Sequence, residues 1–168
     1  MQNLKNLLKS RLNKAERIAL LGVGSEFRGD DAAGMLVARE LASRIKSRKF
    51  RVFLGATAPE NLTGEIRKFK PSHLLIVDAA DIGKKVGSVT MLCANDIAGA
   101  TFSTHRLPVK LIADYLSRAV SCDTIVLGIH PESFLFAKAP SPKVKKAAKD
   151  ISQILEEVIC ISLQIRQT

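Results

Sequence analysis

The chain has no tryptophan and a single tyrosine in 168 residues, so it offers few aromatic faces on which bases could stack. Its three cysteines, Cys93, Cys122 and Cys160, are odd in number and far apart. They match neither a C-x-x-C zinc pattern nor a disulfide framework, and they point to a reducing, cytoplasmic setting. No apolar run reaches membrane-spanning length, and charges interrupt the N-terminal segment where a signal peptide would be continuously apolar. There is no G-x-S-x-G elbow, and neither Cys93 nor Cys122 has a histidine near it in sequence, which leaves nucleophilic catalysis poorly supported. Internal repeats, low-complexity tracts and linkers are also missing. A length of 168 residues with 46% hydrophobic content supports one well-buried core and falls short of two ordinary domains. A single domain over 1–168 is expected, with 1–16 as a basic and helical N-terminal extension.

The formal charge of +10 and pI near 9.8 resemble a nucleic-acid signature, but the basic residues fall in three separate places. These are the N-terminal segment (Lys5, Lys9, Arg11, Lys14, Arg17), the stretch from Arg39 to Arg51, and the run from Lys138 to Lys149. No recognisable RNA- or DNA-binding motif accompanies them, so nucleic acid is not expected as a partner. Leu4, Leu7, Leu8 and Leu12 share one face of a basic amphipathic helix that could touch a membrane or a partner. The simpler reading packs that helix on the core.

The most informative stretch runs from Gly22 to Gly34, where an apolar strand (Arg17 to Val23) enters glycines and then the acid pair Asp30-Asp31, which opens a helix reaching about Ile45. Most glycine-rich strand-to-helix turns in α/β proteins present backbone N–H groups to phosphate; this one presents carboxylates. A dinucleotide reading fails at the third glycine spacing and at the repelling acids. One carboxylate is accounted for by helix capping. Two exceed what a cap needs, and one of them is a candidate metal ligand or acid/base group.

Downstream, Phe50 to Leu54 reads as a short strand, followed by a turn and a helix from Asn61, its natural N-cap, to Phe69. Leu74 to Val77 is a continuous apolar run ending in Asp78, the form of a central strand buried on both faces. Gly87 to Leu92 reads as an antiparallel edge strand, 94–104 as irregular, and the segment behind Pro108 as a helix. Thr124 to Leu127 is a second buried strand. A long final helix carries Val144, Ala147, Ala148, Ile151, Leu155 and Val158 on its inner face. The expected fold class is α/β: a single-domain three-layer sandwich with a mostly parallel twisted sheet of about five strands and helices on both faces.

In such sheets ligands bind outside the carboxyl ends of the strands. That rule puts Asp31, Asp78 and His105 on one edge, where two carboxylates and an imidazole suit zinc, nickel or iron. Each has an ordinary alternative. Asp31 is also explained by helix capping, Asp78 by a loop N–H donor, and His105 by a loop hydrogen bond. His130 stands at the end of the last strand and would join the site from there, although Pro131 beside it favours a turn role.

Taken together, five blocks resemble the maturation endopeptidases of nickel-iron hydrogenases, above all the hydrogenase 3 type. They are Gly22-Val-Gly24 with Arg28-Gly29-Asp30-Asp31; Ala58-Pro59-Glu60-Asn61; Leu74 to Ala79 with Asp81 and Gly83; Ser103-Thr-His105-Arg-Leu-Pro108; and Leu127-Gly-Ile-His-Pro131. The resemblance covers about Ile18 to the last helix and leaves out the basic segment before Arg17. It implies removal of a C-terminal peptide from a hydrogenase large-subunit precursor once nickel has been inserted. It also implies that Asp31, Asp78 and His105 bind or sense that nickel, which the precursor supplies; separately, a monomer is expected. Asp31, at a helix start, is expected to be the catalytic carboxylate, and an aspartyl-protease class follows from that assignment. The chain departs from the family's commonest pattern at Ser25, Ala32 and His130, none of them a proposed ligand. Two rival readings stand beside it: a self-contained metallohydrolase with its own zinc, and a basic module that binds nucleic acid or another anionic surface.

Overall fold

The computed structural model describes residues 1–92, 101–102 and 109–166. Of Thr101, Phe102 and Val109, only their place in an element is described. Strand β1 (Ile18–Val23) is wholly buried, as its unbroken apolar run requires. It pairs in parallel with β2 (Phe50–Ala56) on one side and β3 (His73–Asp81) on the other. β3 in turn pairs in parallel with β6 (Asp123–Ile129), and the antiparallel strand β4 (Val89–Leu92) closes that edge, giving the order β2-β1-β3-β6-β4. The short strand β5 (Thr101–Phe102) lies antiparallel against the end of β3. The expected mostly parallel sheet with an antiparallel edge is therefore present.

Strand pleating sends alternate residues to opposite faces, and each face has its own helices. Ile18, Leu20, Leu75, Val77, Ile125 and Leu127 pack under α1 (Gln2–Leu12), α2 (Ala33–Arg44) and α5 (Pro142–Leu163). Ala19, Leu21, Leu74, Ile76 and Val126 pack under α3 (Thr63–Phe69) and α4 (Val109–Val120). By the same alternation, Asp78 shares the α3/α4 face with Leu74, Ile76 and Ala80.

Helix α2 comes unusually close to the sheet. A Cβ on Gly34 would sit 2.1 Å from the Val77 carbonyl oxygen and 2.3 Å from that of Val23. Only a residue without a side chain permits this approach, and it brings the start of α2 down onto the carboxyl ends of β1 and β3.

Several boundaries differ from those the sequence suggests, for local reasons. The helix expected from Asp31 starts at Ala33, preceded by a 3-10 turn over Gly29–Ala32. Likewise a 3-10 turn over Pro59–Leu62 precedes α3, and Asn61 caps nothing. Asp78 does not end its strand: β3 continues to Asp81, with Asp78 in register with Gly128 and Ala79 with Ile129. The basic N-terminal segment is the helix packed on the core. Leu8 and Leu12 are fully buried, Lys5 pairs with Glu157 at 2.5 Å, and Arg11 pairs with Asp123. Leu7 alone of the four leucines stays largely exposed. No helix among the described residues is long and apolar enough to cross a membrane.

Two stability measurements check this packing. Gly34→Ala is expected to cost about 3 kcal/mol or more in urea denaturation, the scale of overpacking against rigid backbone. Gly64→Ala in α3, where a Cβ meets nothing within 4 Å, should be neutral or stabilise by up to about 1 kcal/mol. His73, at the amino end of β3, is buried, and that burial pushes its imidazole below the ordinary value of 6.5. The folded protein thus prefers the neutral ring while the unfolded chain takes up a proton near 6.5, so stability is retained above that pH and lost as the pH falls below it. His73→Gln should flatten this part of the pH–stability curve between pH 7 and 5.

Candidate functional site

Four parallel strands end at the same edge, and the turn after β1 contributes two acids there with opposite surroundings. Asp30 is 2% exposed and fully engaged. Its Oδ2 accepts the Glu132 amide at 2.7 Å and the Ser141 hydroxyl at 3.0 Å, and its Oδ1 accepts the Ser141 amide at 2.6 Å. The Ser141 hydroxyl oxygen also accepts the Val144 amide, capping the N-terminus of α5. Asp30 is therefore a clasp that ties the loop after β6 and the start of α5 to the turn after β1. Backbone bonds from Gly29 to the Lys138 carbonyl and from Asp30 to the Ser133 carbonyl complete the attachment.

Asp31 is wholly buried yet only half engaged. Its Oδ2 accepts the Ser25 amide at 3.0 Å, whereas its Oδ1 has no hydrogen-bond partner among the described residues. The capping alternative does not hold, because neither the 3-10 turn nor α2 receives a side-chain cap. Gly24 makes this position possible. Its φ is +127°, and a Cβ there would fall 1.8 Å from the Asp31 carbonyl oxygen. The glycines of this turn thus leave room for the backbone of Asp31, and Ser25, immediately after Gly24, holds its carboxylate.

Asp78 is wholly buried on β3, which the Asp30-Asp31 turn touches, and its Oδ1 accepts the Ala79 amide at 2.8 Å. Asp31 and Asp78 therefore stand at the carboxyl ends of adjacent strands, as the crevice rule expects. His105 lies outside the described residues. Among the described residues no group of three histidine, cysteine or acidic side chains is placed to hold a metal. His130 takes the turn role. Its Nδ1 accepts the Ile82 amide at 3.2 Å, its backbone bonds with Ser88 and Gly87, and the β3–β4 connection is fastened to the end of β6.

Sequence reasoning did not single out Glu60 and Arg28 as functional. Both have a buried polar atom, Oε2 and Nε respectively, without a partner among the described residues. Buried polar atoms in native proteins are nearly always satisfied, so orphaned atoms on Asp31, Glu60 and Arg28 mark the carboxyl edge as a place built for something else. The available signals for Glu60 were its place in the Ala58-Pro59-Glu60-Asn61 block and its position just after the strand ending at Ala56. Cys122 and Cys160 are buried, and burial pushes both thiols up. In this environment neither is an activated nucleophile.

Comparison with known proteins agrees with this fold. A family model described as hydrogenase maturation protease matches residues 35–158. The hydrogenase 3 maturation protease of Escherichia coli K12 is 36% identical over 138 residues, covering 82% of this chain and 87% of that protein. The crystal structure of a [NiFe] hydrogenase maturation protease, HycI, from Thermococcus kodakarensis superposes with a TM-score of 0.82 at 30% identity, covering 94% of this chain and 99% of that one. The solution structure of the endopeptidase HycI from Escherichia coli gives a TM-score of 0.73 at 35% identity, covering 82% and 87%.

The match overturns the aspartyl-protease class expected from the sequence, since the hydrogenase maturation proteases are not aspartyl proteases. The geometry gives the physical reason. Aspartyl catalysis needs two carboxylates sharing one proton, and here Asp30 is saturated by Glu132 and Ser141 while Asp31 is held by Ser25. The protein is a peptidase, and with this fold and this match it belongs to the hydrogenase maturation protease family.

Proposed function

We propose that this protein removes the C-terminal peptide of a [NiFe]-hydrogenase large-subunit precursor after nickel insertion. In this reading the precursor's own nickel is the recognition element, and it docks onto Asp31, Asp78 and His105. The observation that carries the reading is the carboxylate of Asp31, buried and rigidly held, with Oδ1 unpartnered among the described residues. A buried ionised oxygen without a donor is costly unless a cation arrives to meet it. Nickel accepts carboxylate and imidazole ligands, and a metal held partly by the substrate makes cleavage conditional on metal insertion.

Held there, the metal would supply Lewis-acid polarisation of the scissile carbonyl or of a water. In this reading the Asp31 carboxylate takes up the water's proton, a role supported by its bond from the Ser25 amide, which it would lose on rotating away. Asp78 offers a second oxygen donor from the adjacent strand. Asp30 does not enter the chemistry; it fixes the backbone from which Asp31 projects.

Mass spectrometry of a large-subunit precursor incubated with this protein, with and without prior nickel insertion, tests the reading. Loss of a C-terminal peptide only from the nickel-loaded form is expected, and equal cleavage of both forms would refute the metal check. Two neighbouring substitutions should separate structure from chemistry. Asp31→Asn is expected to fold with unchanged or higher stability, because it removes a buried charge, and to lose processing; full activity would exclude its assigned role. Asp30→Ala is expected to lose about 3 kcal/mol or more, the scale of stripping a buried hydrogen-bonded carboxylate from its donors. Thermal or urea unfolding of the two variants side by side reads the contrast.

A further inference from the structure

Among the described residues, the two most exposed large apolar side chains are both phenylalanines, and both stand beside the turn that carries Asp31. Phe27 is 73% exposed and Phe136 72%, with Leu135 next to the latter at 55%. Burying one phenylalanine side chain is worth about 2 kcal/mol, so leaving two in water forgoes that gain twice at the rim of the candidate site.

Neither ring sits on a loose loop. Phe27 belongs to the turn after β1 and Phe136 to the loop after β6, and the Ala137 amide bonds the Phe27 carbonyl at 2.8 Å. Gly29, with a φ of +54°, lets the two segments come this close, since a Cβ there would lie 3.0 Å from the Ser133 carbonyl oxygen. On the other side of Phe27, the Glu26 carboxylate accepts two hydrogen bonds from the Arg39 guanidinium, at 2.9 and 2.7 Å. Ahead of Leu135 and Phe136, Phe134 packs on the core layer to which α2 and α5 contribute. Ala137 closes the loop at a φ of +57°, a left-handed conformation that costs energy in any residue with a side chain and persists where the surroundings over-determine it.

Two aromatic rings on a backbone fastened from both sides make a preorganised apolar knob, and such rings anchor protein interfaces by entering a pocket on the partner. Taking about 200 Å² for each whole aromatic side chain, the knob with Leu135 shows on the order of 400 Å². That is about half of the roughly 800 Å² that each partner gives to a stable interface. A second copy of this chain is therefore poorly held by the knob alone, and it would bring a formal charge of +10 against an equal one. A protein already engaged at Asp31 supplies the missing area, because Phe27 and Asp31 share one turn. We propose that Phe27, Leu135 and Phe136 form an exosite that docks the folded body of the large-subunit precursor, entering an apolar pocket on it while the segment to be removed lies along the Asp31–Asp78 edge. Protruding rings suit a folded surface, whereas an extended tail needs a groove. The choice of partner rests on the processing reading above.

Binding of the full chain to nickel-loaded precursor, followed by biolayer interferometry, tests the exosite. Phe27→Ser and Phe136→Ser, each checked for an unchanged unfolding midpoint, should each weaken binding roughly tenfold, the scale of removing an interface anchor. In processing assays they should raise KM by a similar factor with kcat changed less than about twofold, the signature of lost docking and retained chemistry. Ile161→Ser, which removes an apolar side chain 58% exposed near the far end of α5, should change neither. Equal binding and cleavage by the wild-type protein and both phenylalanine variants would overturn the exosite and leave the processing reading standing. Phenylalanine-dependent binding without loss of a C-terminal peptide would uphold the exosite and refute the processing reading. A dimer in analytical ultracentrifugation that either substitution dissociates would assign the knob to a second copy of this chain and overturn the proposal, and no binding of wild-type protein to the precursor would overturn it as well.

Discussion

The carboxyl edge of the sheet depends on one buried and fully engaged carboxylate. Asp30 gathers the Glu132 and Ser141 amides and the Ser141 hydroxyl at the junction of three segments distant in sequence: the turn after β1, the loop after β6 and the start of α5. In a water-poor setting such charge-assisted bonds are stronger than their surface equivalents, and an unmade one costs correspondingly more. The arrangement is therefore close to all-or-none. When these donors are in place, the loops beside Asp31 have little freedom; if one were lost, the buried charge would draw water into the turn.

Asp31, its neighbour in sequence, shows the opposite use of the same side chain. The difference lies in supply: the loop after β6 and the cap of α5 provide donors to one acid, and among the described residues only the Ser25 amide reaches the other. Local rules that hold throughout the fold are broken at Asp31, Glu60 and Arg28, whose orphaned atoms stand on the same side of the molecule. Proteins tolerate such violations where function requires them and the surrounding framework is stable enough to hold them. Here the framework is the parallel sheet, with α2 seated directly on its backbone through Gly34.

Most of this architecture was legible in the sequence because its signals are periodic. The apolar runs of β1, β3 and β6 and the helical spacing of α5 each repeat over enough residues to outweigh local exceptions. Where the reading slipped, a single residue had been given too much weight. Asp78 looked like a strand terminator because it is charged, yet strand pairing continues past it to Asp81. Asn61 looked like a cap, but entry through a 3-10 turn bypassed it. At the site, the acid pair and its edge were evident, whereas the division of labour between Asp30 and Asp31 was not, since it is decided by Glu132 and Ser141, more than a hundred residues away. Glu60 was noted only as part of a resemblance block and was given no role, because an unmet hydrogen bond has no sequence pattern. His105, the third residue of the expected set, lies outside the described residues.

The pairing of α1 with α5 has a consequence for how the chain is made. Lys5 and Glu157 meet across 152 positions of sequence, and Leu8 and Leu12 bury against a core to which α5 contributes the greater part of one layer. During synthesis, α1 leaves the ribosome before α5 and lacks that packing partner until the later helix emerges. Until then its leucines and lysines form a free amphipathic segment, open to chaperones while the parallel strands assemble behind it. An element made well before its partner is thus among the last to settle, and its docking follows the assembly of the sheet that carries the Asp30–Asp31 edge.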